Sequence, residues 1–152
     1  MGSLYIALYA PSSVQKLLEF LKTIYAVPGL IPVIIKPYGA AAQVGVPEAY
    51  KISYKLSKPL VILPEIRDLI DVLACNYVYY FDESGVLTSL DSIISSSEKK
   101  AVIISSGEQE PSPKEISNIN VVWPSEIPRG VPSLAIAGIL VYELVKGCKI
   151  KN

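Results

Sequence analysis

Six short apolar runs recur along the chain, most of them parted by helical patterns, and that alternation limits the possible folds more than any other feature. Leu4–Tyr9, Ile31–Ile35, Leu60–Leu63, Tyr77–Phe81, Ala101–Ser105 and Asn120–Trp123 read as strands. They are continuous apolar runs rather than alternating ones, as in sheets covered on both faces. Strands in alternation with helices predict an α/β fold: a mostly parallel sheet with helices on both faces.

The helical patterns carry their own start and stop signals. Ser12-Ser-Val-Gln15 has capping-box spacing and predicts a helix to about Tyr25, with Val14, Leu17, Leu18, Leu21 and Ile24 on one face. Pro47 opens a helix to Leu56, and Ile66–Leu73 and Leu90–Ser95 are shorter patterns. Ser112-Pro-Lys-Glu115 is a second capping box, predicting a further helix with Pro113 at its first position. Between Gly39 and Gly45 lie small residues that read as a loop. The last helix, from about Ser133 to Lys146, is apolar on nearly every face and must be buried in a core or against a partner. Before it runs a stiff loop holding Pro124, Pro128, Gly130 and Pro132.

Composition removes several chemistries. The chain has 152 residues and no histidine, which excludes Ser-His-Asp and Cys-His catalysis and histidine-based metal sites. Fourteen basic residues balance fourteen acidic ones, so bulk charge cannot hold nucleic acid, and any such contact needs a local patch. Two distant cysteines, Cys75 and Cys148, make no disulfide framework and fit a reducing cytosol. The start, Met1-Gly-Ser-Leu-Tyr-Ile, lacks a signal peptide's basic region, and Leu134–Tyr142 is too short to span a bilayer. A soluble, cytoplasmic protein forming one domain over residues 1–152 is expected, with roughly 70% of its unfolded surface buried.

In open α/β sheets ligands bind beyond the carboxyl ends of the strands, which directs attention to the loops after Ile35, Ser105 and Trp123. Ser105-Ser-Gly-Glu108 follows a strand with small residues that let backbone amides approach a ligand. Lys36, Tyr38 and Gln43 are candidates to face a nucleotide. A metal-dependent nuclease would need an Asp followed by Glu-x-Lys on a neighbouring strand, and Asp82 with Glu98-Lys99-Lys100 meets that spacing formally. Tyr77, Tyr79 and Tyr80 suit stacking on bases or a half-buried strand.

A strand ending in Ser106-Gly-Glu108, then a strand, a Pro-rich loop and Ser133-Leu-x-x-Ala-Gly-Ile-x-x-Tyr-Glu143, resembles the SPOUT superfamily, and within it the SpoU-like RNA ribose methyltransferases. Lys36–Tyr50 is similar to an archaeal group filed with those methylases, some of whose members carry a RecB-family nuclease label. The resemblance covers the last third of the chain. It implies a C-terminal trefoil knot, S-adenosylmethionine bound in the knot loops, an RNA substrate such as tRNA or rRNA, and a homodimer packed through the final helix. It implies cofactor contacts at Ser106, Gly107 and Glu108, at Trp123 and Pro124 or alternatively Ile127 and Pro128, and at Ser133 and Leu134. SpoU-like enzymes also carry Asn-x-Gly and an arginine after the first strand. Pro11-Ser-Ser-Val-Gln-Lys16 has none of them. Arg129 and Lys16 are the candidates for the catalytic or phosphate contact, and Arg67 is expected to pair with Asp71 at i,i+4. A catalytically inactive knotted dimer that binds RNA or another ligand is the alternative.

Overall fold

The computed structural model describes residues 3–95 and 97–147, which leaves Cys148 and Ser96 outside the described residues. Six strands form one sheet in the order β3-β2-β1-β5-β4-β6. They are β1 (Leu4–Tyr9), β2 (Leu30–Ile35), β3 (Val61–Leu63), β4 (Tyr77–Thr88), β5 (Lys100–Ser105) and β6 (Asn120–Pro124). Every pairing is parallel, with Leu4 opposite both Leu30 and Lys100. The parallel α/β expectation therefore holds.

The helices are α1 (Val14–Tyr25), α2 (Val46–Leu56), α3 (Asp68–Asp71), α4 (Leu90–Ile94) and α5 (Ser133–Lys146). One face of the sheet, carrying Leu4, Ile6, Leu8, Ile34, Val102 and Ile104, packs under α1, α2, α4 and α5. The other face, carrying Tyr5, Ala7, Tyr9, Val33, Tyr80 and Ile103, is covered by Leu69 of α3, by Ile66 and Cys75, and by Ile116 and Ile119. Burial pushes the Cys75 thiol up to about 11. Helix α5 follows the edge strand β6, yet packs on α1, α4 and β5, so the chain crosses back over β4 to reach it. Ile136, Ala137, Leu140 and Leu144 fill that contact.

Four local expectations are corrected. The cap of α1 is Ser13, whose hydroxyl accepts from Lys16 N at 3.1 Å; Ser12 is engaged elsewhere. The small-residue stretch is not a loop: Ala41–Gly45 is a π-helical turn running directly into α2. Its tightness has a cause, because a Cβ on Gly45 would stand 3.4 Å from Leu17 Cδ1 and 3.7 Å from Val14 Cα. The capping-box partners Ser112 and Glu115 do bond, with Glu115 N donating to Ser112 Oγ at 3.3 Å, but residues 113–118 stay in turns and form no helix. Strand β4 runs past Phe81 to Thr88, with a register break at 82–85, so both Phe81 and Val86 oppose Val122. Gly85 makes the break possible, since a Cβ there would stand 2.7 Å from Val122 N.

Candidate functional site

The strand order reverses direction between β1 and β5, and a ligand crevice belongs beyond the carboxyl ends at that point. Ser106 leaves β5 there, fully buried, and ties the two strands together. Its amide donates to Tyr9 O at 3.3 Å and its hydroxyl to Ala10 O at 2.8 Å. Ala10 and Lys36 end β1 and β2 with φ of +50° and +55°, a left-handed conformation that costs a side-chain-bearing residue about 1–2 kcal/mol. Backbone bonds hold them: Ala10 N to Ile35 O at 2.7 Å and Lys36 N to Leu63 O at 2.8 Å. Strained residues at the ends of two neighbouring strands are a mark of functional sites.

Glu108 joins the β5 loop to the β1–α1 loop. One carboxylate oxygen, Oε2, accepts from Ser12 N at 3.0 Å and from the Ser12 hydroxyl. The other, Oε1, lies 3.1 Å from Lys16 Nζ, an ion pair whose angle makes no hydrogen bond. Lys16 Nζ donates instead to Ser106 O at 2.7 Å. The same carbonyl receives the hydroxyl of Ser133, the first residue of α5, at 3.5 Å. Lys16 of α1, Ser106 and Glu108 of the β5 loop, and Ser133 of α5 thus meet at one point, from three separate segments. Gly107, with φ of +79°, turns the loop so that a Cβ there would meet nothing within 4 Å.

The second loop is built differently. Trp123 is buried, and its indole Nε1 donates to Ile127 O at 2.9 Å, while Ile127 N donates to Pro124 O at 3.2 Å. The two alternative registers, Trp123–Pro124 and Ile127–Pro128, therefore belong to one closed turn. Glu126 fastens this turn to α4 by accepting from Leu90 N at 2.9 Å. Leu134 is half-buried against the core under α5. Arg129 does not reach the β1/β5 crevice: its Nε and Nη2 donate to Glu83 O at 3.4 and 3.2 Å, and the Glu83 carboxylate accepts from Gly130 N at 2.8 Å.

Asp82 and Glu98 are not brought together. Asp82 follows Phe81, opposite Ile104 near the carboxyl edge, while Glu98 precedes Lys100 at the amino edge. Six or so residues of strand, roughly 20 Å, separate those edges. Asp82 bonds Ser84, and buried Lys100 donates to Ile93 O at 2.7 Å, closing the end of α4. Burial lowers the Lys100 ammonium from its ordinary range. Among the described residues no group of three or more His, Cys, Asp or Glu could hold a metal. Arg67 pairs with Asp71 at 2.9 Å, as expected.

Across the sheet, under the Tyr9 face, a cleft of about 740 Å³ opens between residues 65–71 and 112–119. At its wall Tyr9 donates to Glu115 Oε2 at 2.5 Å, and Lys36 pairs with Glu115 at 3.5 Å. Burial alone would raise the Glu115 carboxyl, but the Tyr9 hydroxyl, Lys36 and Ser112 bring it below its ordinary value. Tyr80, equally buried, donates to Glu110 at 2.8 Å, and burial with that bond pushes its hydroxyl upward. The Glu108–Ser12, Glu115–Tyr9 and Glu83–Gly130 contacts had no signal in the sequence, because each joins segments far apart in the chain. Among the described residues no helix is long and apolar enough to cross a membrane.

The family described as RecB-family nuclease (DUF2122) matches residues 39–143. The chain belongs to that family. A protein of Aeropyrum pernix, whose name proposes a type II restriction enzyme, is 32% identical over 148 residues, covering 92% of this chain and 91% of its own. Among solved structures, one concerned with 2-OH methylation of C/U34 on tRNA superposes with a TM-score of 0.71 at 18% identity, covering 97% of both chains. The SpoU methyltransferase AviRb from Streptomyces viridochromogenes, solved with AdoMet, gives 0.70 at 14% identity, covering 97% of this chain and 61% of its own. This member of the DUF2122 family therefore has the fold of the SpoU methyltransferases.

Proposed function

We propose that the chain is an S-adenosylmethionine-dependent RNA methyltransferase whose acceptor is a ribose 2'-hydroxyl. The observation that carries this reading is the meeting of the Ser106–Glu108 loop with Lys16 and the start of α5 at the β1/β5 crevice. The residues fit the cofactor. Gly107 and Gly130 both have positive φ and open space where a Cβ would stand, so their backbone is approachable. Glu108 Oε1 is buried beside the Lys16 ammonium without a hydrogen bond, so it keeps acceptor capacity for a donor of the ligand.

In this reading Ser106, Gly107, Glu108, Ser133 and Leu134 hold the cofactor, and Trp123, Pro124 and Ile127 supply an apolar wall. S-adenosylmethionine supplies a transferable methyl group when bound. The chain's own contribution is orientation and exclusion of water. Lys16 is a positioning residue, since its ammonium is committed to Ser106 O and Glu108. Arg129 spends two N–H groups on Glu83 O and keeps the others for a phosphate of the substrate. The return of α5 over β4 supports the knot. Its half-exposed Ala135 and Gly138, with exposed Tyr142, support a homodimer through that helix.

Titration calorimetry with S-adenosylmethionine tests the reading: saturable binding is expected, weakened in Glu108→Gln, and no heat at millimolar cofactor overturns it. The lack of Asn, Gly and Arg in Pro11–Lys16 favours one second reading, a binding protein without catalysis. Methyl transfer into total RNA rules that out. The nuclease reading is not favoured, because Asp82 and Glu98 stand at opposite edges of the sheet.

A further inference from the structure

Helix α2 has an outward face that nothing in the fold explains. Ala49 is buried and Val46 and Ile52 pack against the core, which fixes the inward side. The opposite side presents Tyr50 and Tyr54, one turn apart, flanked by Lys51 and Lys55. Tyr54 is 89% exposed and Tyr50 51%. Single exposed apolar residues are ordinary on a surface, but two aromatic rings in one helical row make a patch.

The helix is aimed from the crevice. At its head, the π turn is anchored on the β1–α1 loop: Tyr38 N donates to Pro11 O at 3.1 Å and Ala41 N to Ser12 O at 3.0 Å. Ser12 is the residue that binds Glu108. A π turn is rare and recurs at functional sites. From that anchor α2 runs on for about 16 Å, at 1.5 Å per residue over eleven residues, and carries the two rings in its second and third turns.

We infer that the outward face of α2 is a docking surface for unpaired nucleotides of an RNA, stacked on Tyr50 and Tyr54 with their phosphates against Lys51 and Lys55. The charge fits. The only acid on α2 is Glu48, which Lys51 holds at 3.2 Å, leaving Lys55 as a further cation beside the rings. The spacing fits too. Four residues of helix set the two rings roughly 6 Å apart along the axis, nearly twice the 3.4 Å between stacked bases. Bases received there must already be splayed, as they are in loops and not in duplexes. This inference rests on the RNA methyltransferase reading for its choice of RNA, and it adds the surface that brings the substrate to the crevice.

The test uses the full chain, fluorescence anisotropy with labelled oligo(U) and unfractionated tRNA, and duplex RNA and duplex DNA as competitors. Tyr50→Ala/Tyr54→Ala should weaken both single-stranded and tRNA binding by about 5- to 150-fold per stacked base, with Tyr→Phe replacements restoring it. Lys51→Gln/Lys55→Gln should lower the log–log salt slope by about 1 to 2. All four side chains are exposed, so the variants should melt with the wild type. Unchanged RNA affinity in the tyrosine variant overturns the inference. So does tighter binding of duplex DNA than of tRNA, or a changed oligomeric state with RNA affinity intact. Calorimetry with S-adenosylmethionine on the same samples separates the two proposals: the variants should bind cofactor as the wild type does. A wild type that binds RNA through these tyrosines without binding cofactor refutes the methyltransferase reading alone.

Discussion

Replacing Lys16 by Met should loosen the point where three segments meet, and the cost can be worked from the geometry. Lys16 and Glu108 are 30% and 19% exposed at a separation of 3.1 Å. At an effective dielectric of about 20 the attraction is about 5 kcal/mol, a ceiling from which the desolvation of two charges must be subtracted. The variant also loses the 2.7 Å bond to Ser106 O and leaves a mostly buried carboxylate with only Ser12 to satisfy it. Breaking one partner of such a group costs about 1–3 kcal/mol. For a chain of this length that is a fall in melting temperature of roughly 2–10 °C. Calorimetric melts of Lys16→Met, Glu108→Gln and the double variant form a cycle. The coupling should be about 1–2 kcal/mol, because the double variant removes both the charge and its orphaned partner. A Lys16→Met protein that melts within a degree of wild type, or a cycle with no coupling, would refute the claim that this pair fastens the β5 loop to α1.

Two further outcomes follow from the backbone and from charge. Gly85→Ala should cost at least about 2 kcal/mol in chemical denaturation, because the new Cβ meets the backbone of Val122 at 2.7 Å, whereas Gly107→Ala, strained at φ +79° but facing open space, should cost only about 1–2 kcal/mol; equal costs would show that the register break in β4 tolerates a side chain. Glu115 has a lowered carboxyl in the fold, so its contribution is present above the unfolded value near 4.3 and is lost as pH falls through the folded value. Glu115→Gln should therefore be about 1 kcal/mol less stable near neutrality, with the gap closing in acid; a gap that widens as pH falls would reverse the sign of that argument.

The strands were legible because a sheet buried on both faces writes itself as unbroken apolar runs, and β1 and α5 have the ends that the sequence predicted. The misread segments share a different cause: side chains taken up by distant partners. Ser12 looked like a helix cap, but its amide and hydroxyl serve Glu108, and Ser13 caps α1 instead. Glu115 sits in a well-formed capping box, yet Tyr9 and Lys36 also hold it, and Ile116 and Ile119 must reach the sheet, so the segment stays in turns. The stretch from Gly39 to Gly45 looked like a loop because its composition suits one; close packing of Gly45 on α1 winds it into a π turn. For the site, the loop Ser106–Glu108, Lys16 and Ser133 were singled out in the sequence and the fold brings them together, while Arg129, singled out with them, lies apart on Glu83, a neighbour that only the fold reveals.

The same topology decides between two chemistries that the sequence left side by side. A metal-dependent phosphodiesterase needs its carboxylates within a few ångströms of one ion. An Asp at the end of one strand and a Glu just before the next satisfy a linear motif, but when the two strands run parallel, the end of the first and the start of the second lie at opposite edges. Phe81 pairs with Ile104, and Lys100 with Tyr77, so Asp82 and Glu98 are held a full strand length apart by the hydrogen-bond register itself. Bringing them together would require slipping β4 on β5 by about the length of the strand, which would expose Val78, Tyr80, Ala101 and Ile103 together. The loops after β1 and β5, by contrast, share an edge because their strands are parallel and adjacent, with Tyr9 opposite Ser105, and that pairing seats Glu108 against Ser12.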